Sequence, residues 1–96
     1  LKPLSVDEVV RMKNQGAEVV DVREAADFEG AHLVGSINIG LKGKYATWCG
    51  SILSHDRPII VIADQGSEEE AVMRLGRIGF DNAAGYLRDG MSALAS

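Results

Sequence analysis

The chain has 96 residues, of which 46% are hydrophobic and 25% charged, a composition typical of one globular domain with one core. Its formal net charge of −4 leaves no basic excess to bind phosphates, so we expect neither nucleic acid nor an anionic membrane as a partner. No apolar run approaches the roughly 18–20 residues of a membrane span, and no segment has the order of a signal peptide. These features favour a cytoplasmic protein.

The start of the chain and its cysteine and histidine content bear on its context. The sequence begins at Leu1 rather than methionine, and we expect a domain excised from a longer polypeptide. Cys49 is the single cysteine, so no internal disulfide or CxxC pair can form, which fits a reducing compartment. His32 and His55 stand in neither an HxxxH nor an HExxH pattern. We therefore expect no metal site and no cofactor.

In the first half of the chain, turn and capping signals separate short apolar runs. Ser5 and Glu8 form a capping-box pattern, with Leu4 and Val9 placed as a hydrophobic staple. A β-branched run after Gly16 is typical of a strand. The predicted elements are a helix over about residues 6–15, a strand over 17–22, a helical turn over 24–29 and a strand over 36–39.

The second half predicts two more helices and two more strands. Tyr45, Trp48 and Ile52 fall at i, i+3 and i+7, which predicts a helix over about 44–54 with a buried aromatic stripe. The continuous apolar run 59–63 is typical of a central strand that is buried on both faces. A second capping-box pattern opens a helix at Ser67, and a strand over 83–87 and a helical turn over 91–95 follow. This alternation predicts an α/β fold with a mostly parallel sheet covered by helices on both faces.

The loop after the central strand is the first candidate for a site, because ligands of open α/β sheets bind at the carboxyl ends of the strands. Gly66 and the free amides that open the next helix are suited to an anion. The side chains oppose that use, since acids crowd the loop and no base lies among them. The glutamates also complement the helix dipole, which is a purely structural role. The loop residues are Ala63, Asp64, Gln65, Gly66, Ser67, Glu68 and Glu69.

Four other polar or reactive side chains have structural interpretations. Arg23 and Asp27 are four residues apart and are predicted to pair across the helical turn. His32 is predicted to be a hydrogen-bonded structural residue, because no nucleophile is identifiable for it to activate. No lysine or arginine lies within four residues of Cys49, so nothing nearby lowers the pKa of its thiol, and a small buried hydrophobe is expected there.

Several segments, taken in order, resemble the rhodanese homology domain. Asp21-Val22-Arg23 resembles the family's Asp-Val-Arg strand end, and residues 27–39 resemble its Glu-Phe-x-x-Gly-His-Ile-Pro-Gly-Ala-x-Asn-Ile segment. Residues 75–82 and 87–90 resemble the family's Leu-x-x-x-Gly-Phe-x-Asn and Leu-x-Gly-Gly motifs. The resemblance implies one rhodanese-like domain over residues 1–96, with a three-layer α/β fold. It also marks Asp21, Arg23, Asp27 and His32 as structural motif residues.

The loop departs from the family pattern where the activity resides. Active members carry a Cys-x-x-Gly-x-Arg loop after the central strand, in which the cysteine takes up a sulfane sulfur and the arginine and backbone amides hold the anion. By this resemblance Ala63 stands in the nucleophile position and Glu68 in the arginine position. A methyl group cannot carry a persulfide. The resemblance therefore implies the fold but no catalytic residue.

Three functions follow as hypotheses. The first is a catalytically inactive module with a structural, interdomain or regulatory role, whose partner is a neighbouring domain or another protein. Residues 40–48 and 77–81 resemble rhodanese-like domains fused behind a metallo-β-lactamase-fold hydrolase, which supports this hypothesis. The second is a sulfurtransferase that uses Cys49 as its sulfur carrier. The third is an independent domain that binds a basic protein through its acidic loop.

Overall fold

The computed structural model describes residues 2–91. A five-stranded sheet has the order β1-β5-β4-β2-β3, and each adjacent pair of strands is parallel. The predicted α/β class and parallel sheet are confirmed. In chain order the elements are β1 (Pro3–Leu4), α1 (Val6–Asn14), β2 (Glu18–Asp21), α2 (Ala25–Gly30), β3 (Ile37–Asn38), α3 (Tyr45–Ile52), β4 (Ile59–Ile62), α4 (Glu68–Arg77) and β5 (Ala83–Leu87).

β4 is the centre of the core. All four of its residues are buried, as its continuous apolar run predicts for a strand covered on both faces. Because strand side chains alternate, Ile59 and Val61 join the cluster under α3 and α4, whereas Ile60 and Ile62 join the cluster under α1. The two layers of helices and the sheet between them make the three-layer arrangement. No helix within residues 2–91 is long and apolar enough to cross a membrane.

β1 is an element that the sequence patterns do not reveal. Pro3 and Leu4 pair with Tyr86 and Leu87 of β5, and Leu4 is also buried beside Val9, where the staple was predicted. Two residues are too few to show a strand period, so only the pairing identifies this edge strand. The helical turn predicted over 91–95 lies outside the described residues except for Met91.

The two predicted capping boxes have different outcomes. The Ser5 hydroxyl accepts from the Glu8 amide at 3.2 Å and the Glu8 carboxylate accepts from the Ser5 amide at 3.0 Å, so the first box is confirmed. The second prediction is wrong, because the Ser67 side chain makes no capping hydrogen bond. Ser67 has φ −105° and ψ −4°, a helical conformation, whereas a capping residue needs an extended one.

The predicted buried stripe of α3 is confirmed at Tyr45 and wrong at Trp48 and Ile52. Tyr45, Cys49 and Leu53 face the core, at intervals of four residues. Trp48 and Ile52 are 54% and 45% exposed. Both sets of positions are apolar, and the sheet packs against only one of the two neighbouring stripes of the helix. Trp48 is therefore not a core residue.

Candidate functional site

The loop after β4 lies at the edge of the sheet where the strands end. Ala63 is completely buried at its start, whereas Asp64, Gln65 and Gly66 are exposed. Gly66 has φ +95°, a conformation that favours glycine and lets the chain turn sharply into α4. A cavity of about 370 Å³ opens at this point. Its lining comprises Arg23, Asp27, Ala63, Asp64, Gln65, Asp89, Gly90 and Met91.

One backbone amide of the loop is already hydrogen-bonded to a nearby carboxylate. The backbone amide of Gly66 donates a hydrogen bond to Oε1 of Glu68 at 2.8 Å. A carboxylate thus occupies an amide at the start of α4, where a helix terminus attracts negative charge. Asp64 and Glu69 add two more acids to the same loop, and both are exposed. An incoming anion meets an amide already engaged by a carboxylate and repulsion from the neighbouring acids.

The loop after β5 closes tightly over the start of the β4 loop. Gly90 has φ +56°, and a Cβ atom added there would lie only 2.7 Å from the carbonyl oxygen of Ala63. No side chain fits at that distance, so glycine is required for the two loops to touch. In the sequence Gly90 is marked only as part of a family motif, because its approach to Ala63 depends on the fold.

A buried ion pair supports the floor of the site at the end of β2. Arg23 Nη2 lies 2.7 Å from Asp21 Oδ2, and Arg23 Nε lies 2.9 Å from Asp21 Oδ1. The guanidinium also donates to the Ala31 carbonyl at 2.7 Å. Hydrogen bonding to Asp21 raises the pKa of Arg23 above its usual value, so the guanidinium stays charged. The pair fastens the end of α2 to the sheet.

The predicted side-chain pair of Arg23 with Asp27 is wrong. Arg23 Nη1 instead lies 3.4 Å from the backbone carbonyl of Asp27. The buried Asp21 carboxylate offers the guanidinium two oxygens beside it, which an exposed carboxylate one helical turn away cannot match. Asp27 still lies at the site, because it lines both this cavity and a second one beside it.

A larger cavity of about 510 Å³ adjoins the loop on the β3 side. Asn38 stabilises its wall by donating from Nδ2 to the carbonyls of Asp21 and Arg23, at 2.9 and 3.0 Å. Lys42 lies at its rim, 3.3 Å from the Glu24 carboxylate. The lining carries charges of both signs, because Arg23 and Lys42 share it with Asp64 and other acids. From the sequence, Asn38 and Lys42 appear only within segments that resemble the family, and no motif marks either of them as a site residue.

His32 and Cys49 do not extend the site. The Nδ1 atom of His32 lies 2.7 Å from the Phe28 carbonyl, and its ring stacks on Phe28. Cys49 lies on the buried face of α3, and burial raises the pKa of its thiol to about 11. The thiol is therefore protonated near neutral pH. Within residues 2–91, no group of three histidine, cysteine or acidic side chains could hold a metal ion.

Comparisons with known proteins place this geometry in a family. The uncharacterized protein YibN of Escherichia coli K12 is 32% identical over 98 residues, a match covering 99% of this chain and 68% of YibN. A rhodanese-like domain from Anabaena has the same fold, with a TM-score of 0.81, 20% identity, and coverage of 99% of this chain and 74% of that one. A metallo-β-lactamase from Staphylococcus aureus is 32% identical with a TM-score of 0.69, covering 76% of this chain and 21% of that one. The profile of the rhodanese-like domain matches residues 5–96, and the chain belongs to the rhodanese-like domain family.

Proposed function

We propose that this domain is a catalytically silent rhodanese-like module that serves a structural or interdomain role in a larger protein. One observation carries the proposal. The loop after β4 begins with a buried Ala63 methyl group, and the Glu68 carboxylate occupies the Gly66 amide of that loop. The loop thus offers no thiolate to accept sulfur and no free cationic pocket to hold an anion.

Cys49 does not replace the missing nucleophile. The thiolate is the reactive form of cysteine, and the pKa of about 11 keeps the Cys49 thiol protonated. Its side chain packs in the cluster that contains Tyr45 and Leu75, away from solvent. A persulfide on Cys49 would need space and solvent access that the packed core does not provide. We therefore do not propose that Cys49 carries sulfur.

The interdomain role is supported by the comparison with the metallo-β-lactamase. The matched segment makes up 21% of that longer chain, so a domain of this kind lies within a larger protein there. We propose a similar setting here, with a neighbouring domain or a separate protein as the partner. The scaffold around the loop would then serve for packing while chemistry takes place elsewhere.

The proposal predicts that the domain lacks sulfurtransferase activity. Incubation with thiosulfate and cyanide should give no thiocyanate above the rate without protein, because the loop has no thiolate. Colorimetric detection of thiocyanate as its iron complex measures the result. The Ala63→Cys/Glu68→Arg variant described in the Discussion is the positive control. Robust turnover by the unaltered domain, and its loss in Cys49→Ser, would contradict the proposal and restore Cys49 as the carrier.

A second prediction concerns the reactivity of Cys49. We expect iodoacetamide at pH 8 to label Cys49 in the folded domain at least about a hundredfold more slowly than in urea, because labelling requires the thiol both exposed and ionised. Intact-mass spectrometry follows the reaction. Cys49→Ser/Gln65→Cys is the matched control, since its one thiol lies on an exposed residue of the β4 loop. Equal labelling rates for folded and unfolded wild-type domain would show that the thiol is accessible.

A further inference from the structure

An apolar groove lies between α3 and the edge strand β3, on the outer side of the molecule. Trp48 and Ile52 form its α3 side, and as residues four apart on a helix they lie next to one another. Ile39, which is only 3% exposed, lies beneath them. The groove has a volume of about 420 Å³. We call the surface formed by Ile39, Lys42, Lys44, Trp48 and Ile52 the α3 groove.

The charge of the α3 groove is opposite to that of the whole chain. Lys42 and Lys44 flank the apolar side chains, and no aspartate or glutamate is among the described residues that line the groove. The Lys42 side chain is 88% exposed and lies 3.3 Å from the Glu24 carboxylate. Because this ion pair is exposed, a carboxylate of a partner can take the place of Glu24 at little cost in free energy. The net charge of the chain is −4, so this cationic border is a local feature.

We propose that the α3 groove binds an acidic, apolar segment of a protein partner. A tryptophan with an adjacent aliphatic side chain is the kind of anchor that dominates protein interfaces. Two lysines beside it favour carboxylates in the bound segment and disfavour a basic one. The groove is formed by residues outside the 63–69 loop, so the inference does not depend on whether the domain is catalytically silent.

Two other occupants fit the charges less well. A twofold pairing of this face with its copy would put two lysine-bordered faces, and so four like charges, into one interface. A lipid surface attracts segments with clusters of about four to eight basic residues, whereas this groove carries two on an acidic chain. An acidic protein segment meets both the apolar and the cationic parts of the groove.

The experiment uses Trp48 as its own reporter, because the chain has one tryptophan. A synthetic amphipathic peptide with leucines on one face and glutamates on the other is titrated while Trp48 fluorescence is recorded. We expect a saturable blue shift and weaker binding at 0.5 M salt. The same peptide with lysine in place of glutamate should bind at least tenfold more weakly. Ile52→Ser should weaken binding about tenfold through lost apolar contact.

Charge variants separate this groove from a general charge effect. Lys44→Glu should weaken binding of the acidic peptide about tenfold, whereas Lys2→Glu, an equal charge change at the opposite edge of the sheet, should leave it unchanged. No fluorescence shift at millimolar acidic peptide would overturn the proposal, and so would equal binding of the two peptides. A blue shift on anionic vesicles but not on the peptide would identify a lipid surface instead. A shift that accompanies self-association, without peptide, would identify a second copy.

Discussion

Replacing Ala63 with cysteine and Glu68 with arginine together is expected to create a thiosulfate:cyanide sulfurtransferase from this domain. The exchange supplies a thiol at the end of β4 and removes the carboxylate that occupies the Gly66 amide. The introduced thiolate attacks the outer sulfur of thiosulfate, its S–S bond breaks, and sulfite leaves with the electron pair. Cyanide then takes the outer sulfur from the resulting persulfide as thiocyanate, and the thiolate is regenerated.

Ala63→Cys alone should give about a hundredfold less thiocyanate per unit time than the double variant, a factor typical of one group that stabilises a developing anion. In the single variant, Glu68 still engages the Gly66 amide and repels the dianion. Steady-state rates at a common thiosulfate concentration measure the difference, and mass spectrometry detects the persulfide as a one-sulfur adduct.

Ala63→Cys/Glu69→Arg is the matched control for charge. It changes the net charge by the same two units one residue further along α4, at a side chain for which no contact with the Gly66 amide is found. We expect it to recover only a small part of the rate, because the amide remains occupied. If both double variants were equally active, the hydrogen bond of Glu68 would have no specific role. If neither double variant formed a persulfide, the residues of the loop would not explain why the domain lacks sulfurtransferase activity.

Arg23→Met is expected to destabilise the domain by about 3–5 kcal/mol, because it leaves a buried carboxylate without its counter-ion. Asp21 is completely buried, and Arg23 is 7% exposed. Three side-chain hydrogen bonds from Arg23 to Asp21, between 2.7 and 3.2 Å, would be lost. This cost is a large part of the roughly 5–15 kcal/mol that stabilises a typical domain. Urea unfolding followed by circular dichroism measures it.

A double variant separates the buried charge from the loss of packing. Asp21→Asn/Arg23→Met removes both charges and keeps an oxygen at residue 21 that can accept from the residue 23 amide, as Asp21 Oδ1 now does at 3.1 Å. It should recover most of the lost stability. Lys42→Met breaks an exposed pair and should cost about 1 kcal/mol or less. A cost for Arg23→Met no larger than for Lys42→Met would show that the buried pair is not a major source of the domain's stability.

Most of the fold was predictable because it rests on local patterns. The apolar run of β4 requires burial on both faces, and alternating helices and strands require parallel crossovers. The chemical character of the β4 loop could also be predicted from the sequence, because Ala63 has no functional group and the acids around Glu68 are adjacent in the chain. These conclusions depend on residue type and order, which need no knowledge of distant contacts.

In helix α3 the local sequence pattern does not predict which face is buried. The stripe of Tyr45, Trp48 and Ile52 and the stripe of Tyr45, Cys49 and Leu53 are both apolar, so periodicity cannot choose between them. In the folded domain the stripe of Tyr45, Cys49 and Leu53 packs in the core, and Trp48 lies on the surface. The α3 groove, and the partner proposed for it, follow from that choice.

The sequence by itself determined the class of fold, the central strand and the absence of a thiol in the β4 loop. The tertiary structure decided the partners of individual polar groups. Arg23 binds the buried Asp21 rather than Asp27, and Glu68 binds the Gly66 amide, a contact that the order of residues does not specify. The physical reason is that a hydrogen bond depends on burial and on backbone angles such as the positive φ of Gly66, which are set by the whole fold.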